Sequence, residues 1–432
     1  MGYALLAGLA AIVVLVSTAV FIGVGSDDGS LDGTSQGARD SAAPASAGGW
    51  VGSWSASSVA AEPNTRDGFA KMSIRNVVHT SVGGTGARIT LSNIYGTRPL
   101  TVSHATLALA AAPSNPTAAT GTLRRLTFSN SRTVTIPPGG TATSDAVRIN
   151  VPHAADLLVT TYSPSKSGPV TYHPYARQTS YVAQGDKTDE TSGTAFTEQS
   201  PYWRYLTAVD VWSNETRGAV AVLGDSITDG ITSSPGANRR WTDFLAERMR
   251  TERDAPRYSV LNGGISGNRV LVDGSRFSPN NGPSALTRMQ RDILSRTGVK
   301  AVVIEMGLND IIKPPRQPDA DKIVGGLRQL VKASHARGLR VVGGTLTPFG
   351  GHRGYERGLD ATRQRVNEQI RSGKVFDAVV DFDAALRDPA DPKRLRPAYD
   401  SGDHLHPSDN GFRAMAEALD LKVLKGSSPA NT

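Results

Sequence analysis

The 432-residue chain contains no cysteine. Disulfides, thiolate metal sites and a cysteine nucleophile are therefore excluded. The absence does not argue for the cytoplasm, since many exported bacterial proteins avoid the residue. Lys and Arg outnumber Asp and Glu by 47 to 39, yet no basic stripe is interleaved with aromatic residues and no nucleic-acid-binding module is recognisable. The scattered excess implies mild attraction to anionic surfaces rather than a nucleic-acid partner. There is no G-x-x-x-x-G-K-[ST] and no dinucleotide fingerprint, so nucleotide chemistry is unsupported. No repeat period is evident, which disfavours propellers and solenoids.

What is present describes an ordinary globular protein, 20% charged and 38% hydrophobic, and long enough for two folded units plus an N-terminal extension. From Ala4 to Val24 no side chain is charged, and the run is about the ~20 residues a bilayer-spanning helix needs. Residues 1–25 are read as a signal peptide or an uncleaved membrane anchor. A basic n-region is missing and "ASA" at Ala45–Ala47 lies far beyond the apolar run, so both alternatives stay open. Either one predicts a secreted or extracellular protein, with membrane attachment if the segment is retained. Residues 26–49 have the Ser, Gly, Asp and Ala composition of a flexible linker. Within them "GTSQG" around Ser35 matches a nucleophile elbow formally, but no strand precedes it and no helix follows, so the match is accidental.

Residues 50–213 read as β: "KMSIRNVVHTSV", "ARITLSNIYG", "LTVSHATLAL", "DAVRINV" and "DLLVTTYSP" are short alternating runs divided by Gly, Pro and Asn turns. Such spacing predicts an all-β sandwich or jelly-roll-like domain. Trp50 and Trp54 are read as core rather than as a sugar platform. His79, His104, His153 and His173 take the default reading of satisfied or surface histidines. Over residues 214–427 the period changes. Strand-like "AVAVL", "YSVLN", "AVVIEM", "RVVGGTL" and "DAVVDF" alternate with "WTDFLAERMR", "ALTRMQRDILSR", "DKIVGGLRQLVKASHA" and "DATRQRVNEQIRSG". This alternation predicts a parallel sheet covered on both faces, a three-layer α/β/α domain.

Polar clusters fall at the carboxyl ends of those strands: "GDSIT" after the first, "NGGISGN" after the second, "GLND" after the third, and "DHLHPSD" after the fifth, just before the last helix. Open α/β sheets bind ligands at that rim. Ser226 is a hydroxyl on a strand-to-helix turn and hence a candidate nucleophile. His406 can accept its proton, and Asp403, three residues earlier, can fix the imidazole tautomer. Gly267 can bring a backbone N–H close to a ligand, and Asn309 can donate through its amide; with the Ser226 N–H they make three oxyanion donors. Asp225 organises the turn, and Asp310 caps or braces the loop beside Asn309. His404 and His406 form an H-x-H pair, but no third ligand has metal spacing, and His404 is read as a loop residue beside the triad. No cofactor and no metal are expected.

With these residues in order, the sequence resembles the SGNH, or GDSL-type, hydrolases: Ser226 in "GDSIT", Gly267 in "ISGN", Asn309 in "GLND" and His406 in "DHLH" match the four residues that name the family. The resemblance covers roughly Ala219 to Lys425. It implies a flavodoxin-like fold, metal-free serine hydrolysis of esters, and Asp403 as the third triad member. The region from "WVGSWSAS" to "ITLSNIYG" is similar to the N-terminal β-domain of a secreted bacterial subgroup. The expected activity is hydrolysis of carboxylic esters, with an O-acetylated polysaccharide or a lipid as alternative substrates. A different class is a surface glycan-binding protein whose catalytic half is vestigial.

Overall fold

The computed structural model describes residues 48–426. The apolar run Ala4–Val24, Ser35 and all but the last two residues of the 26–49 segment lie outside them. Among the described residues no helix is long and apolar enough to cross a membrane.

Two antiparallel sheets build the N-terminal half. One orders Gly49–Ser55, Leu206–Ser213, Gly84–Ser92 and Val147–Val151, with Thr141–Thr143 also pairing to Gly84–Ser92; the other orders Glu198–Ser200, Ser180–Gln184, Met72–His79, Asp156–Ser163, His104–Leu109 and Arg124–Arg125. Their alternating apolar residues meet in a common interior. Ile74, Val78, Leu157 and Val159 of one sheet belong to the same core as Ala87, Ile89, Val209 and Val211 of the other, as the period-2 alternation of a sandwich requires. Trp203–Arg204, Thr171–His173 and Ala60–Ala61 pair as a small third sheet, held to the strand Met72–His79 by Trp203 Nε1 donating to the Val77 carbonyl at 2.7 Å.

The C-terminal half is a five-stranded parallel sheet ordered Tyr258–Gly264, Gly218–Gly224, Val299–Glu305, Arg340–Gly344, Ala378–Val380. Numbered along the chain this is 2-1-3-4-5, the flavodoxin-like order. Its topological switch point lies at the carboxyl end of Gly218–Gly224. Both faces of that strand are covered: Ala219, Ala221 and Leu223 belong to one core with residues of helices Ala320–His335 and Arg357–Arg371, while Val220 and Val222 belong to another with residues of helices Trp241–Thr251 and Asp409–Ala418. Burial on both sides accounts for the unbroken apolar run "AVAVL" where a one-sided strand would alternate.

One feature differs from expectation. The segment "ALTRMQRDILSR" is not one regular helix, because an α-turn at Ala285–Met289 passes into a π-helical stretch at Gln290–Leu294. Widening the helix there accompanies the burial of Arg288, which reaches the carbonyls of Gly224 and Gly263 at 2.9 and 2.6 Å and so ties two strand ends together. The two halves also share packing. The interior of the sandwich runs on into the Ala219, Ala221 and Leu223 face of the parallel sheet. The Gly52 N–H also donates to the Thr297 carbonyl at 3.0 Å.

Candidate active site

The strand Gly218–Gly224 ends because the chain must turn tightly into the four-residue helix Ser226–Asp229. At Gly224 any Cβ would lie 2.1 Å from Thr228 Oγ1, so only glycine permits the approach. Asp225 caps the helix, its Oδ1 accepting the Ile227 N–H at 3.0 Å. Ser226 thereby stands at the helix N-terminus, where developing negative charge is favoured.

Ser226 Oγ lies 2.9 Å from His406 Nε2, and His406 Nδ1 lies 2.6 Å from Asp403 Oδ2. The other Asp403 oxygen accepts the backbone N–H groups of Leu405 and His406 at 2.9 and 2.8 Å. Partial burial acts to raise the Asp403 pKa, but the hydrogen bonds from His406 and from these backbone groups prevail and hold it below the ordinary carboxylate range. Asp403 stays ionised across the neutral range and fixes Nδ1 as the protonated nitrogen of a neutral His406, leaving Nε2 to accept from Ser226. The loop carrying the pair is anchored to the turn beyond Ser226. Thr232 Oγ1 donates to the Pro407 carbonyl at 2.8 Å, and the Ser234 N–H and hydroxyl donate to Asp409 at 2.9 and 2.6 Å.

Asn309 opens the short helix Leu308–Ile312 beyond the third strand and is buried. Its amide donates one N–H to Asp225 Oδ2 at 2.9 Å, leaving the second for another acceptor. Asp225 therefore does more than organise the turn, since it sets Asn309 against Ser226. Burial pushes Asp225 up to about 6, against the pull of the Ile227 N–H, of the Lys313 charge and of His406 when its ring is protonated. Glu305, fully buried and accepting from Thr228 Oγ1 at 3.1 Å, is raised by burial and then by Asp225.

Gly267 has φ +76, a backbone region that favours glycine, and a Cβ there would lie 2.3 Å from Asn281 Oδ1 and 2.4 Å from Lys313 Nζ. Neither the Gly267 nor the Ser226 N–H donates to a protein acceptor among the described residues. Asp310 braces this loop rather than the one beside Asn309, accepting the Val270 and Leu271 N–H groups at 2.8 and 3.0 Å. His404 sits beside His406 but pairs with its own acid, Asp400, at 2.6 Å. Among the described residues no group of three or more His, Cys, Asp or Glu side chains is arranged to hold a metal ion.

The "DHLHPSD" cluster differs from expectation in one respect. It does not directly follow the fifth strand, since helix Phe382–Leu386 and the turn Pro397–Tyr399 intervene. It reaches the rim by a return of the chain rather than as a strand-end loop. The four sandwich histidines each face a carboxylate: His79 with Asp156, His104 with Asp186, His153 with Glu215 and His173 with Asp229. Trp54 is core, edge-on to Trp203 at 4.9 Å, whereas Trp50 is half-buried against Trp212 under the Arg88 guanidinium. Lys313 and His352 border the site although nothing in the sequence singles them out; a lone Lys after "GLNDII" and a lone His in a loop carry no local signal.

Residues 222–414 match the GDSL-like Lipase/Acylhydrolase family, a span that contains Ser226, Gly267, Asn309, Asp403 and His406. The C-terminal half is a GDSL-type hydrolase domain. Residues 222–414 accordingly carry ester hydrolysis of the GDSL acylhydrolase type. Solved structures similar to it include a GDSL-like lipase from Bacteroides thetaiotaomicron VPI-5482, 18% identical with a TM-score of 0.34, covering 48% of this chain and 88% of that one. Another is the acetylxylan esterase Axe2 from Geobacillus stearothermophilus, 22% identical with a TM-score of 0.35, covering 47% and 92%. A third is a member of the lipolytic G-D-S-L family from Veillonella parvula DSM 2008, 19% identical with a TM-score of 0.33, covering 46% and 94%. No curated protein matches the chain.

Proposed function

We propose that this GDSL-type hydrolase is an exported serine esterase for short acyl groups on polar alcohols, working through Ser226, His406 and Asp403. The observation that carries the reading is the unbroken hydrogen-bond line from Ser226 Oγ through both His406 nitrogens to Asp403. His406 Nε2 takes the hydroxyl proton as Ser226 attacks the ester carbonyl, and Asp403 stabilises the imidazolium that forms. The Ser226 N–H, the Gly267 N–H and the free Asn309 N–H receive the oxyanion. His406 then protonates the departing alkoxide, and water repeats the sequence on the acyl-enzyme. Export is inferred from the uncharged run Ala4–Val24.

The preference for short acyl groups rests on the polar surroundings of the oxyanion loop, where Asn281 and Lys313 crowd Gly267. Turnover of p-nitrophenyl esters should fall steadily from acetate and butyrate to palmitate, and acetylated xylan should release acetate. A rate that climbs with chain length, together with activity on phospholipid vesicles, would assign the site to lipids instead.

Asn309 tests the oxyanion donors apart from the triad. Asn309→Ala should lower kcat by roughly 10²- to 10³-fold with a much smaller change in KM. Asn309→Asp should be at least as damaging, because it sets a second carboxylate against Asp225 and faces the developing oxyanion with acceptors. Steady-state kinetics decide: a raised KM at unchanged kcat would move Asn309 to ground-state binding.

A further inference from the structure

We propose that the β-sandwich half is part of the catalytic apparatus: His173, on the strand Thr171–His173, positions the oxyanion loop around Gly267 through Asp229. The proposal rests on the esterase reading above and names a positioning residue for it.

The side chains of His173 and Asp229 are buried, 4% and 3% exposed. His173 Nδ1 lies 2.8 Å from the Ser57 carbonyl, which can only accept, so Nδ1 carries a proton. Nε2 lies 2.9 Å from Asp229 Oδ1. The other Asp229 oxygen accepts both the hydroxyl of Ser266 at 2.6 Å and its N–H at 3.0 Å. Ser266 immediately precedes Gly267, and Asp229 belongs to the same four-residue helix as Ser226. One buried carboxylate therefore joins a sandwich histidine, the helix of the nucleophile and the loop of an oxyanion donor.

His173 is the only side-chain partner of Asp229 Oδ1 among the described residues. Its ring is held by Ser57 and by Trp203, 5.4 Å away between ring centres. Removing the imidazole leaves half of a buried carboxylate unpaired, a state that is relieved by rotating the group or admitting water. Either response withdraws acceptors from Ser266 and displaces the Gly267 N–H. The same strand holds the far side of the loop as well. The Tyr172 hydroxyl donates to Asn280 Oδ1 at 2.6 Å, and the carbonyls of Asn281 and Pro283 accept from Asn268. Two consecutive sandwich residues thus grip the loop from two directions.

A purely structural role would lower the melting temperature while leaving transition-state stabilisation intact, so the test must separate the two. The full chain and its His173→Ala, His173→Gln and Ser266→Ala variants are compared for kcat and KM on p-nitrophenyl acetate, inhibition by phenylboronic acid, and melting temperature. In His173→Ala, kcat should fall about 10²-fold, as misplacement of a reacting geometry does. KM should change little, and the boronic acid, which forms a tetrahedral adduct on Ser226, should weaken in parallel with kcat. His173→Gln, whose amide can donate to Asp229, should recover most of the loss. Ser266→Ala should show a smaller fall of the same pattern. A His173→Ala enzyme that melts earlier but turns over at the wild-type rate overturns the proposal. If that variant does not fold, Ser266→Ala decides, and unchanged kcat there overturns it equally. Wild-type enzyme that forms no boronate adduct at Ser226 would refute the esterase reading rather than the role of His173.

Discussion

Ser226→Ala is expected to lower kcat by about 10⁶-fold, close to the loss seen when a whole serine triad is removed. The expectation follows from the geometry of the turn. Among the described residues Ser226 Oγ has one side-chain partner, His406 Nε2, and the close approach around it is maintained by Gly224 and the Asp225 cap rather than by the hydroxyl. The variant should therefore fold and melt near the wild-type temperature. Initial rates on p-nitrophenyl acetate, with circular dichroism on the same sample, check both halves. Retention of a tenth of the activity in a folded variant would place the nucleophile elsewhere.

His406→Ala should be nearly as damaging as loss of the nucleophile, about 10⁶-fold in kcat, because the members of a triad act as a unit. His404→Ala should leave kcat almost unchanged. The two histidines are two residues apart and each binds an aspartate at 2.6 Å, so sequence and pairing alone do not rank them. What separates them is direction: only His406 directs its second nitrogen at Ser226. His404 has φ +62 and turns its ring to Asp400. Comparing kcat for the two alanine variants on one substrate settles the assignment, and reversed losses would contradict it.

Those parts of the arrangement that are local in the chain are legible in the sequence. The unbroken "AVAVL", the Gly-Asp-Ser stop and the change of period after residue 213 follow from burial, backbone freedom and side-chain spacing, which act over a few residues. Asp403 and His406, three residues apart, are of the same kind. Contacts that bridge long stretches of chain are not legible there. Asn309 reaches Asp225 across 84 residues, and His173 reaches Asp229 across 56. A histidine in a strand has the same sequence signature whether it faces solvent or a catalytic loop. The π-helical stretch after Met289 escapes for a related reason. It coincides with the burial of Arg288 under the ends of two strands, a tertiary contact that the local helical pattern does not encode.

Shared packing between the halves bears on how the enzyme can be altered. Since the sandwich interior is continuous with one face of the parallel sheet, a chain truncated to the hydrolase half would expose that face. It would also lose His173, Tyr172 and the Ser57 carbonyl together.

Everything proposed for the site depends on Ser226 being the nucleophile of a triad completed by His406 and Asp403. The most direct test is to react the full-length protein with a fluorophosphonate and locate the adduct by peptide mass spectrometry. About one equivalent of label is predicted, carried on the peptide containing Ser226, as expected for a single activated serine. Labelling should run in step with loss of esterase activity and be abolished in Ser226→Ala. Label on a different serine, or full esterase activity in protein left unlabelled at Ser226, would contradict the assignment.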